Sequence, residues 1–215
     1  MEKSYSRRKK FYGEGHYNHV MIHGILEKEF SHGYNSTNMT FYESRVTVER
    51  VSETEDHILI VVEEPMLSEE FVQGAHILVK GRLYSYSTGR LQVALLAESI
   101  ELYDEDTSED TYNNLVHLEG KLHTNAYYKE STLTNRKITE FLLCSTRANG
   151  KKDYIPCISW GKTALQLKGC KIGEKINLTG RIQSRVYFKP NSETDRENGE
   201  YVELREVSII QVAIG

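Results

Sequence analysis

The chain repeats itself, and the repeat limits the folds open to it. Asn114–Leu122 reads N-L-V-H-L-E-G-K-L, and Asn18–Leu26 reads N-H-V-M-I-H-G-I-L. The Asn, the valine at the third place, the aliphatic at the fifth, the Gly at the seventh and the Leu at the ninth recur at an offset of 96 residues. Arg50 and Asp56 recur as Arg147 and Asp153 at offset 97. Gly74, Gly81, Arg82 and Ser85 recur as Gly173, Gly180, Arg181 and Ser184 at offset 99. So small a drift over so long a span marks the duplication of a unit of about 95 residues.

Apolar alternation predicts strands over Asn18–Leu26, Phe41–Arg50, His57–Glu63, Ala75–Leu83 and Leu91–Leu102 in the first copy. Ser31–Thr40 reads as a polar loop, Pro65–Val72 as a short helix and Ser85–Gly89 as a tight turn. Five strands with a helix between the third and fourth is the order of an OB-fold. The expected class is therefore all-β: two tandem OB-folds, five-stranded Greek-key barrels, each with a short helix between strands 3 and 4. A basic and aromatic arm, residues 1–17, precedes the first OB-fold at 18–103; an acidic linker, 104–113, leads to the second at 114–215. The arm, with Arg7, Arg8, Lys9 and Lys10 among Tyr5, Phe11, Tyr12 and Tyr17, reads as a mobile, solvated tail or as a supplementary phosphate and base contact.

The two copies differ in charge. Residues 1–110 hold 11 Lys+Arg and 20 Asp+Glu, a net of −9; residues 111–215 hold 16 and 11, a net of +5. Such asymmetry points to divided labour. The longest purely apolar run, Ile58–Val62, is far too short to span a membrane, and the N-terminal residues lack the apolar stretch of a signal peptide. Cys144, Cys157 and Cys170 show no C-x-x-C spacing, which argues for a reducing cytoplasm and against a disulfide framework or a Cys-based zinc site. His16, His19 and His23 lack ligand spacing, Glu63 and Glu64 face opposite ways on a strand, and no phosphate-binding glycine motif occurs. No enzyme chemistry, metal or cofactor is expected.

The stretch Lys151–Ala164, K-K-D-Y-I-P-C-I-S-W-G-K-T-A, holds the only tryptophan, Trp160. Read as a strand from Asp153, it places Tyr154, Pro156, Ile158 and Trp160 on one face. Alternation alone leaves open whether that face anchors a barrel core or forms an outward stacking platform flanked by Lys151, Lys152 and Lys162. The repeat supplies a control: Glu63 stands at the Trp160 position and His57 at the Tyr154 position. An OB-fold thus needs no aromatic there for its core. A carboxylate would repel phosphate and cannot stack, so the first copy is expected to be weakened for nucleic acid or retired to a structural role, mainly serving oligomerisation. The second copy's strand 4–5 connection, Tyr187–Gly199, reads as a long polar loop of the kind OB-folds use to hold single strands.

The second copy resembles the bacterial single-stranded DNA-binding protein family, in particular its subset with two OB-folds per chain. The resemblance is carried by N-L-V-H-L-E-G-K-L at Asn114–Leu122, R-K-I-T-E-F-L-L at Arg136–Leu143, I-S-W-G-K-T-A at Ile158–Ala164 and G-R-I-Q-S-R-V-Y at Gly180–Tyr187. It implies that Tyr154, Trp160 and Tyr187 stack bases and that Arg185 is the basic residue beside them. Lys151, Lys152, Lys162 and Arg181 complete the expected phosphate contacts, with Tyr127, Tyr128, Lys129 and Arg136 of the first hairpin as further candidates. Asn135 stands where the family often has a turn glycine, a place Asn tolerates. The family's acidic-tipped tail has no counterpart after Val207–Gly215, so recruitment of partners through such a tail is not expected. Family members assemble four OB-folds, so a chain with two implies a homodimer. The expected function is sequence-tolerant binding of single-stranded DNA in replication, recombination or repair, in the cytoplasm, with replication proteins as possible partners. The competing expectation is an OB-fold adaptor of a replication or primosome complex with modest nucleic-acid affinity.

Overall fold

The structure is a computed structural model, and it describes residues 18–50, 52–103, 113–131, 135–190 and 198–215. The arm and most of the acidic linker lie outside the described residues. The first copy contributes β1 (Asn18–Leu26), β2 (Ser31–Ser36), β3 (Met39–Glu49), β4 (Glu55–Glu63), β5 (His76–Ser87) and β6 (Leu91–Leu102). The second contributes β7 (Asn114–Leu122), β8 (Tyr127–Glu130), β9 (Lys137–Thr146), β10 (Lys152–Trp160), α1 (Gly161–Leu167), β11 (Lys175–Pro190) and β12 (Gly199–Ile214).

Each copy closes as an OB-fold. In the first, β1 pairs with both β3 and β5, β5 with β6, and β6 runs parallel to β4, which pairs with β3. The second repeats these pairings with β7, β9, β10, β11 and β12. A bulge interrupts the β5–β6 register at Gly81 and the β11–β12 register at Gly180. These two glycines hold recurring places for a steric reason: a Cβ at Gly81 would sit 2.0 Å from the Leu96 carbonyl oxygen, and one at Gly180 2.4 Å from that of Ser208.

Three local expectations are corrected. Ser31–Thr40 is not all loop: β2 and β3 form a hairpin across the two-residue turn Thr37–Asn38. Pro65–Val72 is not a helix. Only Glu64–Met66 forms a single 3₁₀ turn, because Leu67 is extended and the Ser68 hydroxyl accepts the Glu70 amide at 3.2 Å, giving the backbone a competing turn. The strand 4–5 connections are shorter than expected. β5 runs on to Ser87, and Tyr187–Pro190 pairs with Gly199–Val202 as the end of a two-stranded ribbon. Asn135 adopts φ 49°, the left-handed backbone its side chain tolerates.

The copies join through β1 and β7, which pair antiparallel. Val20 lies opposite Val116, its own repeat, so a local twofold passes through this pair. A self-complementary contact of this kind makes every interaction recur with the partners exchanged. The carboxylate of Asp56 takes Arg50 Nε at 2.8 Å and, across the junction, the Ser184 amide at 2.7 Å; Ser184 Oγ takes the His57 amide at 2.8 Å. Asp153 takes Arg147 Nε at 2.6 Å and the Ser85 amide at 2.9 Å, and Ser85 Oγ takes the Tyr154 amide at 2.9 Å. Arg181 and Arg82 complete the two clusters, 3.4 Å from Asp56 and 3.6 Å from Asp153. Both aspartates are fully buried. The recurring Arg, Asp and Ser positions are thus the clasp between the copies. Asn18 and Asn114 form a second recurring device: Asn114 Nδ2 donates to the Ile182 carbonyl at 2.8 Å while its Oδ1 takes the Ile182 amide at 2.9 Å, and Asn18 does the same to Leu83. The core runs through both barrels, from Val20, Ile22 and Leu83 to Val116, Leu118 and Ile182.

Candidate nucleic-acid interface

Strand β10 alternates. Asp153, Ile155, Cys157 and Ser159 are buried on its inner side, which places Tyr154, Pro156, Ile158 and Trp160 on the outer side, where Ile158 is buried and the other three are partly or largely exposed. Trp160 ends the strand in extended backbone, and Gly161 follows at φ 57°, turning the chain sharply into α1. The indole is left 40% exposed with Lys162 exposed in the first turn. Six residues of strand separate Tyr154 from Trp160, about 20 Å along the chain. Tyr154 is half-buried against the His123 ring, with centroids 4.6 Å apart. Lys151 and Lys152 are exposed at the start of the strand.

Strands β9, β11 and β12 extend this face. Tyr187 is 40% exposed where the ribbon leaves the barrel, with the Arg185 guanidinium 5.9 Å from its ring centre. Arg185 is held by the buried Glu206, with Nε at 2.9 Å, and lies 3.8 Å from Glu140. Gln183 also donates to Glu206, at 2.8 Å, and Lys129 pairs with Glu140 at 2.9 Å. The guanidinium is therefore oriented before any ligand arrives, at the cost of two carboxylates on the same surface. On β8, Tyr128 lies beneath the Lys168 ammonium, 4.6 Å from its ring centre, and Arg136 is exposed beside the same hairpin.

Tyr154, Trp160, Tyr187, Arg185, Lys162, Lys151, Lys152 and Arg136 thus lie at or around one face of the second copy, whereas Tyr128 pairs with the buried Thr139 and so points to the other side of the sheet, against Lys168. Arg181 does not share that setting. It is part of the clasp to the first copy, where burial and the neighbouring Arg50 push its guanidinium pKa down while Asp56 works against them. Sequence reading missed two exposed aromatics, Phe188 and Tyr201 on the ribbon; Tyr127 on β8, a candidate of the first hairpin, is exposed as well and pairs with Glu140 on β9. Phe188 and Tyr201 are cross-strand partners packed edge to face at 5.4 Å. Extending the strand alternation into the polar connection would have found them. It also missed that the ribbon leans on the first copy, where Arg90 pairs with Glu200, Arg45 with Glu203 at 3.2 Å, and Arg205 donates to the His57 carbonyl at 3.0 Å.

Residues 113–208 match the model of the Single-strand binding protein family. Among solved structures, the wild-type single-stranded DNA binding protein from Thermus aquaticus is similar with a TM-score of 0.69 and 15% identity, over 92% of this chain and 92% of that one. A deletion variant of the same protein gives 0.68 and 15%, over 92% and 94%. These likenesses extend across both OB-folds and establish the fold. No curated protein matches the sequence significantly.

Proposed function

We propose that this chain, whose second OB-fold belongs to the Single-strand binding protein family, binds single-stranded DNA on the outer face of that fold. The observation that carries the reading is the placement of Tyr154 and Trp160 on the solvent side of β10, with Tyr187 exposed at the ribbon and lysines at both ends of the strand. Bases stack on the rings, each ring contributing about 1–3 kcal/mol. Lys151, Lys152, Lys162 and Arg136 meet phosphates and release counterions, which makes the affinity salt-dependent. Stacking uses the π-face that every base has, so binding tolerates sequence. Arg185, fixed by Glu206, sets one edge of the track beside Tyr187. The role follows from this chemistry: protecting and presenting single strands during replication, recombination or repair, with a homodimer bringing four OB-folds together. Among the described residues no helix is long and apolar enough to cross a membrane.

The experiment is a titration of the chain with poly-dT while following tryptophan emission, which reports Trp160 alone. Quenching on binding is expected, with an affinity about 5- to 150-fold lower in Trp160→Ala. Unquenched emission together with unchanged affinity in the variant refutes the stacking role.

A further inference from the structure

The register places His123, just past the end of β7, on the same outer side as Tyr154. Cys144 on β9 lies opposite both Tyr154 on β10 and Lys121 on β7, so these three side chains project from one side. Leu122 is buried on the other side, and the His123 amide donates to the Leu142 carbonyl at 2.7 Å, which carries the pairing one residue further. The exposed imidazole reaches Tyr154 diagonally across β9, with ring centres 4.6 Å apart and planes 54° apart. The first copy has the same constellation with other chemistry. Glu27, Thr47 and His57 stand at the His123, Cys144 and Tyr154 places, at offsets of 96, 97 and 97 residues. There too the first and third side chains touch: His57 Nδ1 lies 2.6 Å from Glu27, whose carboxylate also takes the Thr47 hydroxyl at 2.9 Å. Contact between these places is therefore a property of the fold, and the residue types decide what it does. In the first copy a carboxylate stays on the face, whereas in the second an imidazole stands in its place against a phenol ring.

The groups around His123 are mostly cationic. Its own strand brings Lys121, and β11 places Lys175 opposite Lys121. Strand β10 brings Lys152, two residues before Tyr154 and on its side, and β9 brings the Cys144 thiol and Leu142. The nearby carboxylates are engaged elsewhere. Glu119 holds Lys175 at 2.9 Å. The Glu174 carbonyl accepts the Leu122 amide at 2.9 Å, while its side chain hydrogen-bonds Cys170. An anion arriving at Tyr154 therefore meets His123 among lysines.

We propose that His123 is a further contact of the single strand: protonated, it neutralises a phosphate next to the base that lies on Tyr154, and so couples strand binding to proton uptake. The proposal rests on the reading that this face binds single-stranded DNA, and it adds a dependence on pH to that reading. Imidazole is the side chain whose charge changes between about pH 5 and 8. Its cation is favoured twice here, by the Tyr154 ring, which lies within the range of a cation–π contact, and by the phosphate. Because the phosphate favours the charged form, affinity is greatest at the acid end and falls as pH rises.

The test is a poly-dT titration of the full chain over a series of salt concentrations, at about pH 5.5 and about pH 8. The parent is expected to bind about two- to fivefold more tightly at the acid pH. The slope of log affinity against log salt is expected to be steeper there by about 0.7, the share of one phosphate in a single strand. His123→Gln, polar but never charged, is expected to show the parent's pH 8 affinity and slope at both pH values. His123→Lys, charged throughout, is expected to show the steeper slope at both. The side chain is exposed, so neither variant gives up a buried contact. A parent without a pH dependence, or a His123→Gln variant that keeps the parent's, overturns the proposal. A parent that binds poly-dT at neither pH overturns instead the reading on which it rests.

Discussion

Replacing Asp153 by alanine tests whether the clasp holds the two copies together. The Asp153 carboxylate is fully buried and takes Arg147 through Nε at 2.6 Å and Nη2 at 2.5 Å, the Ser85 amide at 2.9 Å, and Arg82 at 3.6 Å. Arg82 Nη1 is itself buried with no hydrogen-bond partner among the described residues, so its charge depends on this carboxylate. Alanine leaves two guanidinium groups and one backbone N–H without their acceptor in a poorly solvated junction. Removing one partner of a buried ion pair costs about 3–5 kcal/mol, and the orphaned amide lies within that range rather than on top of it. For a chain of 215 residues this corresponds to a fall in Tm of about 6–20 °C. Urea unfolding followed by circular dichroism, with linear extrapolation, measures it. Asp56→Ala should cost a similar amount, because the local twofold gives it the equivalent contacts with Arg50, Arg181 and Ser184. Asp153→Asn should fall between parent and alanine, keeping an acceptor but losing the charge. Losses below about 1 kcal/mol for both alanine variants would show that the arginines find water instead, and the clasp would then not be what joins the copies.

Asn114→Ala leaves the buried Ile182 amide and carbonyl without partners and should cost about 1–3 kcal/mol, read from the same unfolding curves. Gly180→Ala forces a methyl against the Ser208 carbonyl and should destabilise by at least about 1–3 kcal/mol, with a thermal melt as the check. Glu63→Ala removes a carboxylate beside Phe41 and should leave single-strand affinity unchanged or raise it; a large loss would mean that Glu63 holds the face in shape.

Much of the fold was legible because duplication exposes it. β1 and β6 follow the expected spans residue for residue, and β7 covers the recurring stretch Asn114–Leu122. The elements that escaped are those whose stability is not local. β2 reads as an Asn- and Ser-rich loop and is a strand because β3 supplies its hydrogen bonds. The end of the ribbon reads as polar loop and is paired because two extended strands run on past the barrel. The Tyr154–Trp160 face was legible because strand parity is a property of the sequence. Its outward direction became visible with the burial of Asp153, Ile155, Cys157 and Ser159 behind it.

By itself the sequence determined that there are two like units, that each is a five-stranded barrel with strand breaks at fixed places, and that basic charge and the lone tryptophan share the second. These follow from periodicity, glycine placement and ionisable side chains, which are local in the chain. Only the tertiary structure decided that the recurring Arg, Asp and Ser are a clasp between copies, since a carboxylate and the amide it accepts are there 128 residues apart. It also decided that Arg181 belongs to that clasp and that Phe41 lies opposite Glu63, where Ile138 lies opposite Trp160 in the other copy. A comparison at one offset sees one strand at a time, whereas a surface is made by neighbours on adjacent strands.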